Sequence, residues 1–289
     1  MNRIALGTAQ FGLNYGIKNR TGQVTRSQAR AMLKLATLNN IDILDTAIAY
    51  GESEDCLGEI GIHEFKLVTK LPEFPDDCED LTTWVQQQMS ASLKRLGVSM
   101  VYGLILHKPE QLLDKNGDIL IKALLRLKDG GQVQKLGVSI YSPSELDALM
   151  PRYTFDLVQA PFNLLDRRLK NTGWLYRLKD ADIEVHTRST FLQGLLLMKK
   201  EEMPTKFAPW SAIWQQWHKW LSESELTSLQ ACLSFSLSFP EIDRVVVGAD
   251  SPVQLSEILS VNDHRFTNEI PDLQCDDERL INPSNWGSL

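Results

Sequence analysis

The stretch DILDTAIAYGESEDCLGEIG, residues 42–61, contains one complete strand-to-helix unit. Its apolar start ends in Asp45 and predicts a short buried strand. Ser53 can cap a helix whose first turn is acidic, which is the pattern that a helix N-terminus favours. The connecting loop therefore carries Asp45 and Tyr50, and such loops often carry function. Taken alone, a buried aspartate bonded to loop amides and a packed tyrosine would also explain this pair.

The same alternation of short apolar and longer amphipathic segments continues along the chain. Strands are predicted over residues 3–7, 41–45, 66–70, 101–107, 134–139, 155–160, 183–189 and 243–249. Helices are predicted over residues 25–39, 81–96, 118–128, 143–150, 169–179, 209–238 and 252–259. Eight strand–helix units that close on themselves predict an α/β protein with a (β/α)8 TIM barrel.

The competing arrangement is a doubly wound sheet, but no predicted strand is followed by GxGxxG at a helix start. We find no linker, so residues 1–289 are expected to form a single domain. The segment from about residue 262 is irregular and rich in Pro, Asp and Asn. It is expected either to cross a barrel end and help shape a pocket, or to form a terminal arm held elsewhere.

The composition is that of an ordinary globular protein, with 43% hydrophobic residues and a formal net charge of −7. This acidic balance disfavours nucleic acid or an anionic membrane as a partner, because no basic surface recruits phosphates. No apolar run reaches the ~20 residues of a membrane span, and no signal peptide is recognisable. The four cysteines are scattered without zinc-ligand spacing, so we expect free thiols, no metal and a cytoplasmic location.

Polar side chains stand at the ends of three successive predicted strands, on the face that carries the active site in such barrels. Asp45 ends the second strand, Lys70 the third and His107 the fourth. A tyrosine with a pKa of ~10 needs a nearby cation to exchange protons near neutral pH, and Lys70 can supply that charge to Tyr50. This set predicts a general acid or base for a carbonyl or an alcohol. Because no side chain supplies hydride, a nicotinamide cofactor is expected.

Several segments resemble the signature blocks of the aldo-keto reductase superfamily. They are DTAIAYGESEDCLG (45–58), LVTK (67–70), VYGLILHKP (101–109), KLGVSIYSPSEL (135–146), LVQAPFNLLDRR (157–168), STFLQGLLL (189–197) and VVVGADSPVQLSE (245–257). They occur in the family's order, over residues from about 4 to 260. The resemblance implies a (β/α)8 barrel, an NAD(P)H cofactor and the interconversion of a small-molecule carbonyl and an alcohol.

The resemblance also implies catalytic roles. Tyr50 matches the family's proton donor, and Lys70 matches the residue that lowers its pKa. Asp45 matches the partner of that lysine, and His107 matches the histidine that orients the carbonyl.

Cofactor contacts are implied for a second set of residues. They are Thr8, Ser139, Gln159, Arg188, Gly248, Ser251, Gln254 and Glu257. Ser139 and Gln159 match positions that hold the nicotinamide carboxamide. Gly248 begins the segment that matches the one around the adenosine phosphates, and Glu257 matches the carboxylate that contacts the adenine.

Two residues near the nicotinamide depart from the family pattern. Ile140 stands where many members have asparagine, so Ser139 and Gln159 would have to hold the carboxamide alone. Arg188 stands where many members have an aromatic residue that stacks on the nicotinamide. Its guanidinium is expected to stack there, to bind a substrate carboxylate or phosphate, or to form a structural salt bridge.

A third departure concerns cofactor choice. NADP-preferring members carry basic residues that bind the 2′-phosphate, and the matching positions here are Asp250 and Gln254. Because a carboxylate repels a phosphate, the preference for NADPH is expected to be weak or reversed toward NADH.

Two other functions remain open from the residues. Lys70 could be a Schiff-base nucleophile, although a lysine held charged by Asp45 is a weak one. The chain could also be a nicotinamide-binding regulatory or partner subunit with little or no turnover. The oligomeric state is not indicated by the sequence.

Overall fold

The computed structural model describes residues 2–19, 21–261 and 269–289. Its centre is a closed barrel of parallel strands that pair in chain order, with the first strand also paired to the last. The strands are β1 (Ile4–Gly7), β2 (Ile43–Asp45), β3 (Lys66–Leu71), β4 (Val101–Leu106), β5 (Val133–Ser139), β6 (Leu157–Pro161), β7 (Glu184–Arg188) and β8 (Arg244–Gly248). Each predicted strand is present, and the (β/α)8 barrel is confirmed.

Helices surround the barrel and occupy its loops. They are α1 (Ala9–Gly12), α2 (Arg26–Leu38), α3 (Ser53–Ile60), α4 (Leu81–Leu96), α5 (Gly117–Asp129), α6 (Ser144–Leu149), α7 (Arg168–Asn171), α8 (Trp174–Asp180), α9 (Ser211–Glu223), α10 (Ser228–Leu237), α11 (Pro252–Ser260) and α12 (Glu278–Ile281). Short 3-10 helices span Pro109–Leu113, Leu192–Leu197, Lys200–Glu202, Thr205–Trp210 and Pro283–Ser288.

Two long helices predicted from the sequence are wrong, because each is divided. The segment 169–179 is divided between α7 and α8 by Gly173, whose φ of 81° is outside the helical region. The segment 209–238 contains α9 and α10, because Thr227 starts a new helix with a capping box to Gln230.

The barrel is filled by a layer of apolar side chains, and a second apolar layer lies between the strands and the helices. The inner layer consists of Ala5, Ile43, Val68, Ile105 and Leu157, none of which is exposed. Burying a valine, leucine or isoleucine side chain contributes about 1.5–3 kcal/mol to stability relative to leaving it in water. The packed interior leaves the strand ends as the place for a site.

The tail returns to the barrel within residues 269–289. Trp286 is buried and packs edge-on against Phe207, with ring centroids 4.9 Å apart. This contact places Pro283 and Ser284 at the mouth of the barrel, where they line a cavity. The described part of the tail therefore corresponds to the first of the two expected arrangements, while residues 262–268 lie outside the described residues.

A polar cluster lies near the beginning of the strands, opposite the polar strand ends described above. The Glu184 carboxylate accepts hydrogen bonds from the Tyr102 hydroxyl, at 2.6 Å, and from the Lys135 ammonium. Its other oxygen lies 2.8 Å from Nε2 of His186, which is completely buried. Polar residues at this face of a barrel serve stability rather than catalysis. This cluster joins β4, β5 and β7.

Replacing Glu184 with glutamine is expected to destabilise the protein by about 2 kcal/mol at pH 7. Burial by itself raises the pKa of Glu184, but the hydrogen bond and charge of His186, with Lys135, hold it well below its ordinary value. This stabilisation is therefore complete above the pKa of the unfolded glutamate, about 4.3, and is lost as the pH falls toward the folded pKa. The difference between wild type and E184Q should shrink below about pH 4.

Urea unfolding measured between pH 3 and pH 8 would test this expectation. The matched control is Glu223→Gln, which removes one partner of an exposed pair with Lys219 and should leave the unfolding midpoint unchanged. An E184Q protein as stable as the wild type at pH 7 would show that the cluster contributes nothing.

Candidate active site

A cavity of about 310 Å³ opens at the C-terminal ends of the strands, a volume at the lower end for small-molecule sites. Most of the residues singled out from the sequence line it: Thr8, Asp45, Tyr50, Lys70, His107, Ser139, Gln159, Arg188, Gly248, Asp250 and Gln254. Ser251 and Glu257 are not part of this lining, and Glu257 is exposed on α11. The barrel therefore brings together all four proposed catalytic residues and most of the proposed cofactor contacts.

The centre of the site is a buried ion pair at the ends of β2 and β3. Nζ of Lys70 lies 2.5 Å from Oδ1 of Asp45 and donates a second hydrogen bond to the Thr46 carbonyl at 2.8 Å. The Lys70 side chain is 1% exposed. Burial lowers the pKa of Lys70, and the Asp45 carboxylate partly opposes that shift. The pairing with Asp45 favours the protonated ammonium, which is a weak nucleophile, and so acts against the effect of burial.

Tyr50 extends from the β2–α3 loop over this ion pair. Nζ of Lys70 lies 5.2 Å from the centroid of the Tyr50 ring, so the ammonium faces the ring. Burial and then the negative charge of Asp45 raise the pKa of Tyr50, while Arg188 opposes the shift. This direction is opposite to the lowering by Lys70 that was expected from the family pattern. Tyr50 therefore keeps its proton at neutral pH, which is the state that a proton donor requires.

His107 stands at the end of β4 beside the tyrosine. The two rings meet edge-on, with centroids 6.0 Å apart. Burial, with the positive charges of Lys70 and Arg188, lowers the pKa of His107 to about 4. The imidazole is therefore neutral at pH 7 and can offer one N–H as a hydrogen-bond donor.

Gln159 connects the ion pair to the next part of the cavity. Its Nε2 donates to Oδ2 of Asp45 at 2.6 Å, although the two residues are 114 positions apart in the chain. Its Oε1 is buried and has no hydrogen-bond partner among the described residues. Ser139 is its register partner on β5 and is 1% exposed. A buried acceptor without a partner is costly, and the NH₂ group of a carboxamide would satisfy it.

Thr8 follows the first strand and Gly248 ends the last strand, and both line the cavity. The Thr8 hydroxyl donates to the Asp45 carbonyl at 3.1 Å and accepts from Ser53 at 2.9 Å. A Cβ at Gly248 would lie 2.6 Å from the end of the Gln10 side chain, so a larger residue there would require Gln10 to move. Gln10 lines the cavity and was missed from the sequence, since only the folded contact with Gly248 reveals it.

Two polar side chains at the start of α11 accept hydrogen bonds from backbone amides of the same segment. Ser251 is the N-cap and accepts from the Gln254 amide at 3.2 Å. The Gln254 side chain accepts from the Asp250 amide at 2.5 Å. These two side chains are therefore engaged in capping, while the Asp250 carboxylate borders the cavity.

Arg188 ends β7 and is held by neutral groups. Its Nη2 donates to the Ile140 carbonyl at 2.9 Å, and its Nη1 donates to the Ser189 hydroxyl at 3.3 Å. The guanidinium carbon lies 4.6 Å from the centroid of the Tyr141 ring. Among the described residues Arg188 forms no ion pair, so the structural salt bridge is not what holds it. Tyr141 was also missed, because its contact with Arg188 joins two strand ends that are far apart in sequence.

The comparisons with known proteins agree with this geometry. The aldo/keto reductase family model matches residues 3–271, and the chain therefore belongs to that family of oxidoreductases. Members of this family use nicotinamide cofactors.

Individual relatives are more distant. The chain is 30% identical over 219 residues to the oxidoreductase sirO of Leptosphaeria maculans. That match covers 72% of this chain and 65% of sirO, so the chain spans slightly less than two thirds of the length of sirO. It is 24% identical to the uncharacterized oxidoreductase YqkF of Bacillus subtilis, over 93% of this chain and 94% of that protein. The holo form of aldo-keto reductase AKR11C1 from Bacillus halodurans has the same fold, with a TM-score of 0.75 at 19% identity over 96% of this chain and 95% of that chain.

The part of the chain that the structure describes contains neither a membrane-spanning helix nor a metal-binding cluster. No helix there is long and apolar enough to cross a membrane. No group of three or more His, Cys, Asp or Glu side chains could hold a metal ion in residues 2–19, 21–261 and 269–289.

Proposed function

We propose that this protein is an NAD(P)H-dependent reductase of a small aldehyde, ketone or sugar-like carbonyl, with Tyr50 as the general acid. One observation carries the proposal: the Lys70–Asp45 pair under Tyr50 is hydrogen-bonded to Gln159, whose Oε1 is buried and unpartnered in the described structure. The proton donor and the group that would hold a carboxamide thus belong to one connected unit.

The residues present fit a nicotinamide cofactor. Ser139 and Gln159 would hold its carboxamide, and the β8–α11 segment that begins at Gly248 would lie along its adenosine half. A nicotinamide cofactor bound in this way would supply the hydride that no side chain can.

The proposed proton transfer follows from the charges in the cavity. The protonated Tyr50 hydroxyl gives its proton to the carbonyl oxygen as that oxygen gains negative charge. Neutral His107 donates an N–H to the same oxygen and fixes its position. The phenolate left on Tyr50 is stabilised by the positive charge of Lys70, and Asp45 keeps that ammonium in place.

Replacing Gln159 with leucine is expected to raise the dissociation constant for NADH about tenfold. The variant removes the acceptor that would bind the carboxamide, and one such hydrogen bond is worth about 1–1.5 kcal/mol. Isothermal titration with NADH would measure the change. ADP-ribose, which lacks the nicotinamide, is the matched control ligand and should bind Q159L and wild type equally. An equal weakening for both ligands would show that the substitution disturbs the whole cavity.

Wild-type protein is expected to bind NADH at least as tightly as NADPH, because the acidic residue Asp250 lines the cavity and a carboxylate there would repel the 2′-phosphate. Asp250→Ser should improve NADPH binding about tenfold and change NADH binding little. Tryptophan fluorescence titrations of both proteins with both cofactors would measure this. A wild-type protein that binds NADPH tenfold more tightly than NADH would contradict the charge argument.

The function itself is tested by following NADH and NADPH oxidation with a panel of aldehydes, ketones and aldoses. Turnover of any of them supports the reductase. Cofactor binding without turnover across the panel, together with a stable protein partner on pull-down, would instead support a regulatory subunit. Borohydride trapping of a carbonyl compound on Lys70 would revive the Schiff-base alternative. Failure to bind either cofactor would contradict the proposal.

A further inference from the structure

The charges around the cavity do not balance near the proposed catalytic residues. Lys70 is neutralised by Asp45, and Lys18, which also lines the cavity, pairs with Glu202 at 3.8 Å. His107 is neutral at pH 7, since burial and the neighbouring cations lower its pKa to about 4. Asp250 also lines the cavity but forms no ion pair with Arg188. Among the described residues Arg188 is therefore left as a partly buried cation without a paired carboxylate.

The guanidinium of Arg188 is held in position before any ligand arrives. One face lies against Tyr141, and two of its five N–H groups are used by the Ile140 carbonyl and the Ser189 hydroxyl. The other N–H groups remain for a ligand. A planar, fixed fork of this kind matches the geometry of a carboxylate or a phosphate.

Arg188 is close enough to the catalytic residues to act on the same small molecule. It lines the same cavity of about 310 Å³ as Tyr50 and His107. Its charge is also among the causes that lower the pKa values of His107 and Lys70, after burial in each case. A substrate of a few carbon atoms can therefore place its carbonyl at Tyr50 and a second group at Arg188.

We infer that the cavity selects carbonyl substrates that also carry an anionic group, a carboxylate or a phosphate, and that this group pairs with Arg188. The inference rests on the proposed reductase function and specifies its substrate class. The anion supplies the counter-charge that the protein itself lacks at this position, and an unpaired, partly desolvated cation is otherwise costly.

The alternative is that Arg188 stacks on the nicotinamide. That arrangement would place a fixed cation beside the positively charged oxidised ring, where the interaction is repulsive. The two possibilities can be distinguished by removing the charge of Arg188. If Arg188 binds the substrate anion, the affinity for anionic substrates falls; if it stacks on the nicotinamide, the affinity for NADH falls.

The experiment uses two pairs of aldehydes matched in length: 4-oxobutanoate with its methyl ester, and 4-carboxybenzaldehyde with its methyl ester. Steady-state kcat and KM with NADH are measured for wild type, Arg188→Gln and Arg188→Lys. Glyceraldehyde and glyceraldehyde 3-phosphate form a third pair that separates phosphate from carboxylate. Dissociation constants for NADH are measured in parallel for each protein.

In the wild type we expect kcat/KM to be at least tenfold higher for the anionic member of at least one pair. R188Q should raise KM for the anionic member 10- to 100-fold, well beyond any change in KM for its neutral partner, while the dissociation constant for NADH changes less than threefold. R188K, which keeps the charge without the fork, should retain part of the preference.

Three results would overturn the inference. The first is equal kcat/KM for both members of every pair in the wild type, and the second is an equal loss of kcat/KM for both members in R188Q. The third is a tenfold loss of NADH affinity in R188Q that leaves the preference for the anionic aldehyde intact. The last would assign Arg188 to the cofactor. If no aldehyde is turned over, the proposed function fails separately. Calorimetric binding of 4-carboxybenzaldehyde against its ester, with and without NADH, then decides the anion preference.

Discussion

Replacing Tyr50 with phenylalanine is expected to lower kcat for aldehyde reduction by about 10²- to 10⁴-fold. The substitution removes the hydroxyl that would protonate the carbonyl oxygen and keeps the ring that packs over Lys70 and against His107. The loss should appear in kcat more than in the affinity for NADH, because the cofactor contacts proposed here lie on Ser139 and Gln159. Steady-state kinetics with a saturating aldehyde would measure it.

The control for this prediction is Tyr15→Phe. Tyr15 also lines the cavity, but its hydroxyl interacts with Gln193 at the rim and is not part of the proposed proton transfer. Y15F should keep kcat within about threefold of the wild type. A Tyr50→Phe protein that retains a tenth or more of the wild-type kcat would assign the proton transfer to another group.

Replacing Lys70 with methionine is expected to abolish measurable turnover and also to destabilise the fold by about 3–5 kcal/mol. Activity is lost because no cation remains beside the phenolate that proton transfer would leave on Tyr50. Stability is lost because Asp45, which is 4% exposed, would be left without the ammonium that lies 2.5 Å away in the wild type. Urea unfolding and steady-state kinetics on the same preparation would separate the two effects.

A double variant distinguishes the charge pair from the catalytic role. Asp45→Asn combined with Lys70→Met removes both charges, and the amide can still accept the hydrogen bond from Gln159. The double variant should recover much of the stability lost in K70M and none of the activity. If the single and double variants were equally unstable, packing around Lys70 rather than the ion pair would stabilise this part of the barrel.

The proposed catalytic cluster could be anticipated from the sequence because three of its four members end recognisable strands, and Tyr50 follows in the loop after the second strand. Asp45, Lys70 and His107 follow apolar runs, and parallel strands in a barrel bring such ends to one face. Local signals were also present where the predicted helices were wrong. Gly173 and the capping box at Thr227 each mark a break inside a segment that was predicted as one helix.

Other features depend on contacts that no local pattern reports. The hydrogen bond between Gln159 and Asp45 and the stacking of Arg188 on Tyr141 each join residues from different strand ends. The raised pKa of Tyr50 also depends on folding, since burial is its largest cause. Ser251 is a different case, because a serine three residues before Gln254 is a recognisable cap signal, and the structure uses it as a cap.

Hydride transfer from NADH to the carbonyl carbon is tested most directly by isotope labelling. NADH carrying deuterium at C4 of the nicotinamide, in each of the two C4 configurations, is mixed with an aldehyde and the protein. Mass spectrometry of the alcohol then shows whether deuterium was transferred. We predict that the wild type places one deuterium on the carbinol carbon with one of the two labelled forms, and that Tyr50→Phe transfers it at least a hundredfold more slowly. Alcohol formed without deuterium from either form, or no alcohol from any aldehyde tested, would contradict hydride transfer at this site.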